Sequence, residues 1–148
     1  MIKIINRQRK IKVNETRLKK IIATMLANLS YKDFDIGILF TTNKTIKKYN
    51  KTYRNKDQAT DILSFPYHTN LKAGQKIIVK NPEDKNLGDI IISLEYAQKA
   101  APEWNRFLQQ HLIALLAHGI AHLLGYDHET DKQAMQMEKI EKKLIKIV

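Results

Sequence analysis

The side chains of this sequence best suited to chemistry lie in one run: His118, Gly119, Ile120, Ala121, His122, Leu123, Leu124, Gly125, Tyr126, Asp127, His128. Two histidines four apart on a helix of 3.6 residues per turn stand about 40° apart around its axis, so their rings can converge on one ion. Gly125 can take a left-handed turn that reverses the chain and brings His128 back over the same face. Three imidazoles so arranged make a divalent-metal set with at least one position open, as a catalytic ion requires. A purely structural ion usually closes its shell with four protein ligands, and no unambiguous fourth is present. The chain has no cysteine, so any ion must be held by His, Asp, Glu or water. The lack of sulfur and of an acid-rich cage argues against cuprous and calcium sites and leaves one divalent ion, zinc first.

Two neighbours of this set need roles. His111 precedes His118 by seven residues, on the same helix face but about 10 Å along the axis, and reads as a core residue or an outer partner of the site. Asp127 could be a fourth ligand, a cap or a hydrogen-bond partner of an imidazole, and the last is preferred. The histidine spacing is also that of zinc peptidases with H-E-x-x-H-x-x-G-x-x-H, but Gly119 stands where their glutamate supplies the general base. A zinc-peptidase-like hydrolase therefore fits the spacing and not the chemistry. The zinc deaminase pattern is disfavoured by the missing cysteines and the missing adjacent glutamate.

Elements that would carry these residues can be read from hydrophobic periodicity. Met1 to Asn6 and Lys10 to Val13 look like short edge strands, with Asn14 placed to cap a helix reaching about Leu29 on the stripe Leu18, Ile21, Ile22, Met25, Leu26 and Leu29. Phe34 to Thr41 alternates as a strand, and Thr42 or Asn43 caps a short basic helix through about Tyr53. A loop from Arg54 to Ala59 leads to a strand at Asp61 to Phe65, stopped by Pro66. Lys76 to Lys80 is a possible strand between turns, and Gly88 to Ser93 is a further strand. Ser93 caps a helix that Pro102 breaks or restarts, after which a long helix continues through His122 with Trp104, Phe107, Leu108, Leu112, Leu115 and Leu116 inward. A final helix, Asp131 to Val148, buries Met135, Ile140, Leu144 and Ile147. With no repeat and no linker, residues 1–148 should form a single α+β domain: a small mixed sheet of about four strands, about five helices, and the metal site at the end of a long central helix.

Composition narrows the partners. A net charge of +11 draws polyanions, and nucleic acid is the leading candidate. From Met1 to Lys20 one acid, Glu15, faces eight basic residues, and Lys44 to Lys56 contains no acid. These segments lack the Trp/Phe/Leu face of a membrane-surface helix, and no apolar run nears the roughly 20 residues that cross a bilayer, so no membrane partner is expected. Met1 to Val13 does not read as a secretory signal, and the expected location is the cytoplasm.

Three segments carry a family resemblance. His118 to His128 resembles the H-G-x-x-H-x-x-G-Y-D-H signature of the YbeY endoribonucleases, or rRNA maturation factors, including the glycine that departs from the peptidases. Asn50 to Pro66, NKTYRNKDQATDILSFP, is similar to that family's N-x-x-Y-R-x-x-x-x-x-T-D-V-L-S-F-P block, and Leu87 to Ser93, LGDIIIS, to its L-G-D-I-x-I-S strand. Ile62 replaces the common Val, Ala117 and Ala121 stand where larger apolar residues are frequent, and the segment from Ser93 to His111 is short. The resemblance implies a small α+β fold and one metal, commonly zinc, on His118, His122 and His128. It also implies a functional arginine at Arg54, and action on single-stranded RNA in ribosomal RNA maturation and ribosome quality control. Partners implied in the same way are ribosomal RNA, the ribosomal small subunit and assembly factors. In this reading an ion acidifies water or polarises a phosphoryl oxygen while Arg54, whose fork suits phosphate, neutralises developing charge. Asp61 and Ser64 shape the site without catalysing. Tyr49, Tyr53, Phe65 and Tyr67 could stack on bases, but several are expected to be core. The alternative is a non-catalytic, ribosome-associated RNA-binding factor with a structural metal.

Overall fold

A computed structural model describes residues 1–148. Its elements in chain order are β1 (Ile2–Asn6), α1 (Glu15–Asn28), β2 (Asp35–Thr41), α2 (Asn43–Arg54), β3 (Ile62–Pro66), β4 (Asn86–Ser93), α3 (Leu94–Ala100), α4 (Leu108–Leu123) and α5 (Asp131–Lys146), with two short 3-10 turns. The expected count of four strands and five helices in one small domain is what forms. The sheet order is β1-β2-β4-β3. β1, β2 and β4 run parallel, and β3 pairs antiparallel with β4, leaving β1 and β3 as edges.

Strand alternation sorts the two faces. Ile36, Ile38 and Phe40 of β2 and Leu87, Ile90 and Ile92 of β4 enter a 22-residue core with α1, α3, α4 and Leu144 of α5. On the opposite face only α2 packs, through Ile46 against Leu63 and Ile91. The helix starts follow local chemistry: Asn14 accepts from Arg17 N, Thr42 from Thr45 N, and Ser93 from Tyr96 N, so each cap satisfies an otherwise unpaired donor.

Four expectations are corrected. Lys10 to Val13 is not a strand, because the Gln8 side chain serves Ile11 at both backbone groups, donating to its carbonyl at 2.7 Å and accepting from its N–H at 2.9 Å. Lys76 to Lys80 is not a strand either. Its N–H groups go to side chains, Ile77 to the Tyr31 hydroxyl and Lys80 to the Asp84 carboxylate. Trp104 and Phe107 are exposed, since the chain leaves the α-helix at Ala101–Trp104 and Asn105 turns left-handed, which restarts the helical phase at Leu108. Met135 and Ile147 are exposed, and Met137 is buried. The inward stripe of α5 is Met137, Ile140, Glu141 and Leu144, at steps that keep one face.

Candidate metal centre

α4 ends on a cap that builds the site. Gly125 takes φ +89°, its N–H reaches His122 O at 3.0 Å, and the Tyr126 N–H reaches back to Ala121 O at 3.1 Å. These two bonds are those of a Schellman turn, which satisfies the last carbonyls of the helix. A Cβ at residue 125 would collide with the backbone of Leu71 and Lys72, so glycine is required twice over, for its dihedral angle and for this close approach. The reversed chain directs the Tyr126 carbonyl at His122 Nδ1, 2.9 Å away, and carries His128 over the helix end.

The three histidines do converge: one ligating nitrogen from each of His118, His122 and His128 lies within 4.8 Å of the others. His118 Nδ1 is 2.8 Å from Glu141 Oε1. A carbonyl and a carboxylate only accept, so both Nδ1 atoms carry a proton and both rings turn Nε2 toward the site. Those two Nε2 atoms face each other at 3.1 Å. At that distance the two nitrogens share a proton or a metal ion. Nitrogens sharing a tetrahedral ion at ~2.1 Å stand about 3.4 Å apart, close to the 3.1 Å seen here. Burial, then the neighbouring His118, holds His122 below the ordinary histidine range, while its bond to Tyr126 O works the other way. The net direction favours the neutral ring that a metal needs. The set is positioned to bind one divalent ion.

Glu141 is absent from the sequence reading. Its signal was its place on the buried stripe of α5, where a lone carboxylate among Met137, Ile140 and Leu144 must find a partner. Asp127 does not serve an imidazole as expected: its carboxylate accepts from the His128 N–H at 2.8 Å and so fixes the backbone of the third histidine. His111 is core, 3% exposed, with Nδ1 3.4 Å from an Arg106 nitrogen and no hydrogen-bond partner for Nε2. Gly119 faces the sheet, where an added Cβ would stand 2.7 Å from Ile90 Cδ1 and 3.0 Å from Ile62 Cδ1. A glutamate there would point into the core, so the peptidase arrangement is excluded by packing as well as by composition.

Arg54 ends α2 and is exposed. One terminal nitrogen donates to Ser64 O at 2.7 Å, and the guanidinium lies over the Phe65 ring at 5.1 Å. The loop beyond it is held by buried Asn50, which donates to Gln58 O at 2.9 Å, while Asn55 takes the left-handed cap. Arg54 and the three histidines line one groove of about 630 Å³, with Asn50, Lys56, Asp61, Ser64 and His68 also on its walls. Of the four aromatics, several of which were expected to be core, none is fully buried: Tyr53 and Tyr67 are exposed, Tyr49 and Phe65 half-buried.

A family model described as Endoribonuclease YbeY matches residues 3–148. An Endoribonuclease YbeY of Thermodesulfovibrio yellowstonii is 37% identical over 159 residues, spanning 97% of this chain and 94% of that one. The Homo sapiens protein of the same description is 37% identical over 140 residues, spanning 95% and 83%. Among solved structures, the solution structure of TM1509 from Thermotoga maritima matches with a TM-score of 0.64 at 25% identity, covering 99% of this chain and 87% of the other. The chain, with its histidine turn, its arginine-bearing α2 and its LGDIIIS strand, belongs to the YbeY endoribonuclease family.

Proposed function

We propose that this protein is a metal-dependent endoribonuclease specific for single-stranded RNA, acting in the cytoplasm on ribosomal RNA during its maturation and in ribosome quality control. Ribosomal RNA, the small subunit and its assembly factors are the partners this reading requires. The observation that carries it is one groove lined both by the three-histidine set and by Arg54. His118, His122 and His128 would hold the ion, with zinc favoured by the all-nitrogen donor set and the near-tetrahedral spacing. A divalent ion bound there supplies Lewis acidity to a phosphoryl oxygen and lowers the pKa of water.

The protein's own groups do the rest. Glu141 and the Tyr126 carbonyl keep both Nδ1–H groups turned away from the substrate. Arg54 holds its head in place through Ser64 O and Phe65, with a long 3.5 Å bond from its other terminal nitrogen to Tyr53 O that a phosphate taken in two-point fashion would replace. Lysine offers a point charge without that fork, so Arg54→Lys should lower kcat about tenfold or more at saturating RNA; full activity would remove the arginine from the chemistry.

The reading is tested by elemental analysis of untagged protein together with cleavage of a single-stranded RNA by wild type and His122→Ala. One equivalent of metal, with metal and cleavage lost together in a folded variant, supports it. Bound metal with no cleavage by wild type would leave an RNA-binding factor with a structural ion.

A further inference from the structure

The sheet face opposite the histidines is left half bare. α2 covers its β3 and β4 side, but toward β1 the surface opens into a second groove of about 520 Å³. Its rim carries Lys3 and Arg7, and its wall beneath α2 carries Tyr49, Tyr53 and Phe65. Lys3 and Arg7 are exposed and take part in none of the ion pairs of the protein. The Tyr49 and Tyr53 rings stack with centroids 6.1 Å apart, and Phe65 meets Tyr53 edge-on at 5.3 Å. Tyr53 nevertheless leaves 59% of its surface in water, a large exposure for an aromatic that already has two ring neighbours.

The two grooves meet at one residue. Arg54 lines the histidine groove, and its guanidinium also lies on Phe65, which lines the sheet groove. Between them stands only β3, the edge strand, whose Ser64 carbonyl Arg54 takes. A strand leaving the histidine groove past Arg54 therefore rounds one sheet edge and arrives on aromatic faces. Three strand spacings further, about 14 Å, it meets Lys3 on β1 and Arg7 just past its end. α2 adds Lys44, Lys48 and Lys51, while Lys47 pairs with Asp57 at 3.9 Å. The one carboxylate of the groove, Asp89, lies over Gly37 and makes no ion pair. It can accept from the amino groups of bases, so it does not bar a polyanion that carries them.

We propose that this face is a second contact surface for single-stranded RNA, in which bases stack on the exposed Tyr53 and backbone phosphates are taken by Lys3 and Arg7. The occupant is set by the combination of unpaired cations with open aromatic faces, which suits a flexible single strand and not a stiff duplex. The inference rests on the proposed ribonuclease reading and adds to it a requirement on substrate length: RNA that fills only the histidine groove is held less tightly than RNA that also reaches β1.

Fluorescence anisotropy of the full-length protein with 2′-O-methyl oligonucleotides of about four and about twelve nucleotides tests this. The twelve-mer should bind wild type about tenfold or more tighter than the four-mer, and in Lys3→Glu/Arg7→Glu the ratio of the two Kd values should fall to about one. Tyr53→Ala should weaken the twelve-mer about tenfold. Lys3 and Arg7 are exposed at a sheet edge, and the milder Lys3→Gln/Arg7→Gln pair should shift the ratio in the same direction. A twelve-mer no tighter than the four-mer on wild type overturns the proposal. So does a ratio unchanged in the variants, which would leave the face to an acidic protein partner. Failure of both lengths to bind wild type would instead count against RNA as the substrate altogether.

Discussion

Glu141 decides which nitrogen of His118 is free. With the carboxylate 2.8 Å from Nδ1, the proton is held on that side and the lone pair on the other. Glu141→Ala should therefore weaken zinc binding about 10- to 100-fold by isothermal titration, with Glu141→Gln recovering part of the loss because its carbonyl can still accept. Unaltered affinity in the alanine variant would make the contact incidental. His111 sets a second condition. Burial first, and Arg106 second, hold it below its ordinary 6.5 in the folded protein. Between the folded and unfolded values the unfolded chain binds more protons, so stability falls as pH drops through 6.5 and levels off below the folded value. Denaturant titrations of metal-free protein at about pH 7.5 and about pH 5.5 should show a larger loss for wild type than for His111→Asn. Equal losses would mean that His111 titrates alike in both states.

At the scale of elements, the end of α4 matters most. Gly125→Ala would force a side chain into a left-handed angle and against the Leu71 and Lys72 backbone. We expect more than about 1 kcal/mol of lost stability by chemical denaturation, together with weaker metal binding, since the same turn aims Tyr126 O at His122. A stable variant with full affinity would show that the loop yields at little cost. This turn was readable in sequence because its information is local: two histidines one helical turn apart, then a glycine. Caps at Asn14, Thr42 and Ser93 were readable for the same reason. What escaped was set by distant partners. Nothing near Lys10 to Val13 announces that the Gln8 amide will replace a neighbouring strand, and the phase of α5 could not be fixed without α4 beside it. Ile140 and Leu144 were read inward correctly, but the carboxylate of Glu141 beside them takes its role only from His118 on α4. Trp104 and Phe107 were misplaced because a 3-10 turn at Pro102 breaks the helical count.

Taken whole, the molecule is a cation of +11 whose α2 and β1 contain no acid. Its affinity for single-stranded RNA should fall at least tenfold between about 50 and about 200 mM salt, as counterion release requires. A flat salt response would assign binding to base contacts alone. The sign of the charge was plain in the sequence, but its division between two faces joined at Arg54 was not, because that depends on β3 lying at a sheet edge.

The histidines and the basic surface also differ in how far the chain must travel to assemble them. His118, His122 and His128 fall within eleven consecutive residues, so closing the metal set joins points hardly further apart than a helix and its cap, and chain entropy opposes it little. The opposite face draws on β1 near residue 3, β2, β3 and β4 up to residue 91, and it exists only when the sheet is complete. Chain entropy thus opposes the histidine set less than it opposes the sheet face, whose formation awaits the slower, long-range pairing of the strands.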